Sequence, residues 1–345
     1  MEKITTIGLD LAKSIFQVHG IAEDGHVVVR RALRWSQMLE FFRSLEPCLV
    51  GLEACASAHH WANTISQFGH RVRMIPPAYV KAYVKRSKTD AADAEAICEA
   101  VTRPTMRFVP IKTPTEQAAG MVLKTRELFI RQRSQTANAM RAHMAELGII
   151  AVTGMTSVAK LIIILRDDED TRLPSAAQAA LLEMAAQIEM LSARIGALDV
   201  KIVTAVKADN TTRRLISIPG VGPTIAATVR ATIQDPAAFR TGRDLAAWIG
   251  ITPKAHSSGG KERLGRISKC GNKQLRTLLI VGATSILKQA RRGVTLPYWI
   301  VSLMARRPYK VAAVALANKI ARTIWALLVK GGVYQMTAIM MRAER

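Results

Sequence analysis

The sequence predicts a mixed α/β amino-terminal region followed by a mainly helical remainder. Three observations carry this. Residues 1–110 alternate short β-branched runs with helical patterns, residues 111–208 hold two long helical patterns with little β signal, and residues 209–345 read as helices joined by basic loops. A chain of 345 residues with 49% apolar side chains is long enough for two or three such regions, each with a core of its own. No internal repeat or low-complexity segment is apparent.

In chain order, residues 4–10, 15–22 and 26–33 are short strands rich in β-branched residues, with Gly20 and the EDG at 23–25 supplying turns. Residues 36–45 have helical spacing, with Ser36 in position to cap the first turn. A fourth strand covers 48–54, a helix 59–68, a fifth strand 70–75 and a last helix 89–103. The first three strands are linked too tightly for crossovers, so they predict an antiparallel meander, while the later strands are spaced to join in parallel through helices. This is the ribonuclease-H-like order of a mixed sheet, in which the first and fourth strands are neighbours. In the middle region, 115–147 and 175–206 are long helices, and Ile162, Ile163 and Ile164 predict a short buried piece between them. The apolar spacing Leu181, Leu182, Met184, Ile188, Leu191, Ile195, Leu198, Ile202 suits a coiled coil or a two-helix hairpin within one chain.

The net charge of +23 is unevenly placed. Residues 209–345 carry 23 basic and 5 acidic side chains, whereas the first 208 residues are nearly balanced. Such a concentration points to a polyanion partner, most directly nucleic acid. The four cysteines, Cys48, Cys55, Cys98 and Cys270, form no CxxC pair, which argues against zinc or a disulfide framework and fits a reducing cytoplasm. The amino terminus lacks the apolar run of a signal peptide. The most membrane-like stretch, 311–329, is interrupted by Lys319 and Arg322, so a buried or amphipathic helix is expected and no membrane association.

Two strands end in acids: Asp10 in IGLD and Glu53 in VGLE. Asp90 and Asp93, in KTDAADA, lie three apart on one helical face. Singly, Asp10 would also suit a strand-end turn, and Asp90 a helix N-terminus. If the helix packs beside the first strand, four carboxylates converge. Such a cluster repels itself unless a cation compensates it, and hard oxygen donors suit Mg²⁺ or Mn²⁺.

The basic region carries two further patterns. IPGVGP places Gly220 and Gly222 between two helical segments, the sequence form of a helix-hairpin-helix, whose backbone N–H groups contact phosphate without reading bases. A plain helical joint is the other reading. KAHSSGGKERLGRISKCGN, residues 254–272, sits between two apolar helices. It reads as a surface turn, as a phosphate cradle built on Gly259, Gly260 and Lys261, or as a loop carrying a nucleophile, Ser257 or Ser258, with Lys261, Arg263 and Arg266 steadying phosphate charge. It lacks the spacing of a nucleotide P-loop. A serine hydroxyl needs a base or metal to become a nucleophile, and His256 is the base this loop offers.

Five blocks in order, GLDLAK, GLEACASAHHW, KTDAADA, IPGVGPTIA and GITPKAHSSGGKERLGRISKCGN followed by Leu275–Arg276, give the chain a resemblance to the DEDD transposases of bacterial insertion sequences, the group that includes Piv-type DNA invertases and bridge-RNA-guided recombinases. The resemblance spans essentially the full length. Ser57 and His60 depart from the family's usual glycine and tyrosine. The resemblance implies a RuvC-like domain over 1–110 with Asp10, Glu53, Asp90 and Asp93 as metal ligands. It further implies a helical linker and oligomerisation region over 111–208, and a carboxy-terminal transposase domain over 209–345 with Ser258 as nucleophile, the adjacent Ser257 leaving that assignment open by one residue. Gly220, Gly222, Gly259, Lys261, Arg263, Arg266 and Lys269 are expected to contact nucleic acid. The resemblance also implies Mg²⁺-dependent cleavage and rejoining of DNA through a covalent phosphoserine link. The implied partners are donor and target DNA, a structured noncoding bridge RNA and further copies of the chain in a homodimer or tetramer. The alternatives are a RuvC-like junction nuclease that cuts by activated water, and a binding protein without chemistry.

Overall fold

The computed structural model describes the chain except for residues 1, 13, 86–88, 168, 257–258, 262, 291–295 and 336–345. Contacts divide it into two compact units, Met1–Gln117 and Ala118–Arg345.

The first unit is built on a five-stranded sheet of order β3-β2-β1-β4-β5. Strands β1 (Thr6–Asp10), β2 (Ile15–Ile21) and β3 (Val27–Arg34) form an antiparallel meander. Helix α1 (Trp35–Ser44) leads to β4 (Leu49–Glu53), which runs parallel to β1. Helix α2 (Ala58–Ser66) then carries the chain to β5 (Arg71–Ile75), parallel to β4. A short helix α3 (Pro77–Val80) precedes α4 (Asp90–Val101). This is the mixed order that the strand and helix signals predict. Helix α1 starts one residue before Ser36, with Arg34 at the cap position and its N–H bonded to the Gln37 side chain.

Period-two alternation sorts each strand's side chains onto two layers. Ile7, Leu9, Val50 and Leu52 are fully buried with Phe16, Trp61, Met38 and Phe42, under α1 and α2. The opposite face, bearing Gly8 and Gly51, is covered by α4, whose Ile97, Ala100 and Val101 pack with Ile75.

In the second unit α5 (Pro114–Glu146), whose first turn belongs to the first unit, and α7 (Ser175–Ala208) run antiparallel. Arg126 makes a two-pronged ion pair with Asp199 (Nε–Oδ1 2.5 Å, Nη2–Oδ2 3.3 Å), and further along Arg133 donates to Ser192 (3.2 Å). The apolar row of α7 packs inside this chain: Leu181 and Ile188 meet Ala137, Met140 and Met144 of α5, and Ile202 meets Leu123. Helix α6 (Met155–Leu165) fills the connection. It buries Leu161, Ile162 and Leu165 but leaves Ile163 70% exposed, so the triple isoleucine is not buried as a block; a helix turns consecutive residues 100° apart.

The carboxy-terminal core gathers α8 (Asn210–Ile216), α9 (Pro223–Thr232), α10 (Gly242–Ile249), α11 (Lys273–Ala290), α12 (Tyr298–Arg306) and α13 (Tyr309–Lys330). Between α10 and α11 lies an antiparallel hairpin, β6 (Pro253–Ala255) and β7 (Leu264–Ile267), where the sequence reads as loop. Helix α13 is, among the described residues, the one helix long and apolar enough to cross a membrane. Its Ala313, Ala317, Ile320, Ala321 and Ile324 are instead buried in this core.

Candidate active site

The parallel pairing of β1 with β4 sets Leu9 against Leu52, so Asp10 and Glu53, the next residues, end the two strands at the same edge of the sheet. Each acid follows a glycine by two positions and therefore shares that glycine's face. On that face α4 lies in direct backbone contact: a Cβ on Gly8 would collide with the Ala94 carbonyl and the Cys98 N–H, and one on Gly51 would come within 2.9 Å of Val101 Cβ. The two glycines let α4 settle on the sheet with its first turn beside the strand ends. Thr89 caps that turn, its hydroxyl accepting from the Ala92 N–H at 3.2 Å. Asp90 and Asp93 occupy the turn itself, where the helix dipole favours negative charge.

The electrostatics register this gathering. Burial, then the charges of Asp93, Asp90 and Glu53, push the Asp10 carboxyl up to about 6, with the Leu11 N–H pulling the other way. The charges of the other three acids thus reach Asp10. Among the described residues, however, no three His, Cys, Asp or Glu side chains are arranged closely enough to hold a metal ion. The donor set around Asp10 is oxygen throughout, which suits a hard divalent cation rather than zinc or copper. Ser57 has φ −97°, a conformation open to any residue, so the absence of glycine there carries no strain. His60 is exposed, with its ring edge-on to Trp61 at 5.2 Å.

The second group of predicted residues sits on the β6–β7 hairpin. Ser257 and Ser258 lie outside the described residues. Gly259 and Gly260 follow them with φ of 57° and 76°, so the tip needs glycine. Lys261, Arg263, Arg266 and Lys269 are exposed around it. Across the hairpin the His256 N–H donates to the Arg263 carbonyl at 2.7 Å, and a Cβ on Gly265 would come within 2.9 Å of the His256 ring. The root is held by a residue that the site reading passed over. Arg276 donates from one Nη1 to the carbonyls of Ile249 (2.8 Å) and Cys270 (3.0 Å), tying the exit of the hairpin to the end of α10. Asn318 of α13 donates to the Ile251 carbonyl at 3.3 Å. Lys269 takes a left-handed φ of 57° in this turn.

In the α8–α9 joint, Gly220 has φ +81° and packs on α11, where a Cβ would come within 2.6 Å of Ile286 Cδ1. Gly222 is the N-cap of α9, with nothing among the described residues near the place a Cβ would occupy.

Residues 7–149 match the DEDD transposase family of IS110 elements, and residues 212–297 match the transposase IS116/IS110/IS902 family. The "Probable family 20 transposase" of Pseudomonas aeruginosa is 45% identical over 334 residues, covering 96% of this chain and 99% of that one. This chain belongs to the IS110 family of insertion-sequence transposases. Two further relatives agree: the transposase for insertion sequence element IS1328 of Yersinia enterocolitica, 34% identical over 97% of this chain and 99% of that one, and the transposase for IS1111A of Coxiella burnetii, 36% identical over 97% and 92%. An IS110-family transposase is a DNA-processing enzyme, and the DEDD type is associated with divalent metal. The match over 7–149 contains all four acids; the match over 212–297 contains the α8–α9 joint, the hairpin and Arg276.

Two signals for the geometry were present in the sequence. Gly8 and Gly51 stand two residues before their acids, which marks a sheet face left bare for a helix. Gln17 and His19 alternate with the apolar Phe16 and Val18, which marks a polar face on β2.

Proposed function

We propose that this transposase cuts and rejoins DNA through a covalent phosphoserine–DNA intermediate, with Ser258 as nucleophile and Asp10, Glu53, Asp90 and Asp93 holding Mg²⁺ or Mn²⁺. The observation that carries the reading is that β1, β4 and the first turn of α4 bring Asp10, Glu53, Asp90 and Asp93 to one sheet edge, where burial first and then the charges of the other three acids push the Asp10 carboxyl up to about 6. Acids gathered in this way are costly beside an anionic ligand unless they serve a cation. When bound, the cation would polarise the attacking hydroxyl and steady the departing oxygen. The Ser258 oxygen forms a bond to phosphorus while the bond to the departing sugar oxygen breaks; the serine proton is released and the departing oxygen is protonated. The phosphodiester count is unchanged, so reversal onto a new strand end needs no ATP. Lys261, Arg263, Arg266 and Lys269 on the hairpin would neutralise strand phosphates. Gly220 and Gly222, read as a helix-hairpin-helix, would leave α9's first N–H groups for a backbone phosphate.

The reading divides labour among 1–110 for the metal, 111–208 for self-association in a dimer or tetramer, and 209–345 for the nucleophile. Exposed Leu182, Met190 and Val200 on α7 support the middle role. A structured bridge RNA pairing with donor and target DNA is the expected guide, since base pairing would then choose the site and the protein would need only backbone contacts.

The test compares Ser258→Ala, Ser257→Ala and Asp10→Asn. Ser258→Ala should abolish both the protein–DNA adduct and strand exchange, Ser257→Ala should retain both, and Asp10→Asn should bind DNA without chemistry. Water-driven cleavage surviving in Ser258→Ala would move the assignment to a junction nuclease. RNA copurified from a host carrying the flanking DNA should be one defined transcript; random RNA would remove the guide.

A further inference from the structure

A cleft of about 320 Å³ opens on the same sheet face as the acids, one strand further out. Its lining includes Gln17 and His19 of β2, Arg30 of β3, and Thr89, Ala92 and Glu95 at the start of α4. Register ties it to the site already described. Gln17 is the Cα partner of Asp10, His19 that of Gly8, and Arg30 stands opposite His19. The first turn of α4 is thus a wall shared by the carboxylate cluster and the cleft.

The chemistry of the cleft differs from that of the cluster. His19 is only 6% exposed, lines the cleft, and makes no hydrogen bond from its ring to any described residue. Burial lowers its pKa, so the ring is a neutral donor at pH 7. Gln17 adds an amide and Arg30 an exposed guanidinium. The one carboxylate in the lining, Glu95, is ion-paired to Lys85 at 2.8 Å. The α4 N-terminus contributes the positive end of its dipole. A buried, unpartnered donor beside an arginine and a helix start is arranged for an anion.

We infer that this cleft is a phosphate site that seats the nucleic-acid backbone next to the phosphate attacked at Asp10, with Gln17, His19 and Arg30 as positioning residues. The inference rests on the proposed active site for its purpose but not for its test. A strand crossing this face would place one phosphate among the donors of the cleft and the adjoining one at the carboxylates. Positioning by a neighbouring phosphate fits an enzyme whose chemistry depends on in-line geometry.

The probe is deoxythymidine 3′,5′-bisphosphate, titrated by calorimetry into the full-length protein without divalent metal, so that the carboxylate cluster repels rather than binds it. Saturable binding is expected. Arg30→Ala, an exposed position with little folding risk, should weaken it about tenfold, the loss of one charge-assisted contact. His19→Phe should weaken it as well, His19→Gln should restore part of it, and Asp10→Asn should leave it intact. Absence of saturable binding, or binding that both Arg30→Ala and His19→Phe leave unchanged, overturns the inference. If Asp10→Asn still recombines DNA while the bisphosphate results hold, the catalytic reading fails and the phosphate site stands.

Discussion

Gly8 of β1 lies beside Gly51 of β4, and the backbone of α4 rests on both. This pair of missing side chains brings Asp90 and Asp93 to the edge where Asp10 and Glu53 end. Gly8→Ala forces a methyl into the Ala94 carbonyl, a rigid backbone neighbour. It should cost at least the ~1–3 kcal/mol of an overpacked core and remove metal-dependent activity by lifting α4. Denaturant unfolding and a strand-exchange assay check this; wild-type stability in Gly8→Ala would refute the close packing. Gly8 has an ordinary φ, so the penalty is steric and not conformational.

Asp10 predicts a pH signature. Its pKa rises from 3.8 to about 6 on folding. Between those values the unfolded chain releases the proton while the folded chain holds it. Stability of the metal-free protein therefore falls as pH rises through that window and levels off above it. Asp10→Asn should flatten this part of the melting-temperature profile. Divalent cations, which need the ionised carboxylate, should stabilise the wild type progressively more as pH passes 6. A profile identical in wild type and Asp10→Asn would contradict the coupling.

Arg276 predicts a defect at a distance. Its contacts to Ile249 and Cys270 hold the root of the hairpin that carries Ser257 and Ser258. Arg276→Ala should lose about 1.5–3 kcal/mol, the range for a hydrogen bond to a charged group, and hydrogen exchange should quicken over residues 250–272. Arg276→Lys, with a point charge in place of a planar fork, should recover only part of both effects.

The two glycines of the α8–α9 joint separate packing from binding. Gly220→Ala meets Ile286 and an unfavourable left-handed φ, so it should destabilise the fold. Gly222→Ala meets open space, so stability should hold; weakened DNA binding would then report N–H contact with phosphate, and unchanged binding would remove that role.

The hairpin charges should show in salt dependence. If Lys261, Arg263, Arg266 and Lys269 each neutralise a duplex phosphate, each alanine substitution should reduce the slope of log affinity against log salt by about 0.9. An unchanged slope would place those residues off the DNA.

Much of the sheet was legible because alternation in strands and 3.6-residue spacing in helices are local signals. The first and fourth strands each displayed an apolar run ending in an acid, and KTDAADA displayed two acids on one turn. The hairpin was not legible: β6 and β7 are three and four residues long, exposed, and rich in Lys, Arg and Gly, which deplete the usual strand signal. Arg276 gave no local sign of its task, because the carbonyls it binds lie 27 and 6 positions away.

The sequence alone determined which acids, glycines and basic residues this transposase carries, where the regular elements of its amino-terminal sheet lie and where its charge accumulates. Tertiary structure decided which of them meet. The approach of α4 to β1 and β4, the raised pKa of Asp10, the cleft beside Gln17 and the fastening of the hairpin root all depend on contacts between residues far apart in the chain. Periodicity in a linear sequence reports the face of an element, and only packing reports what that face touches.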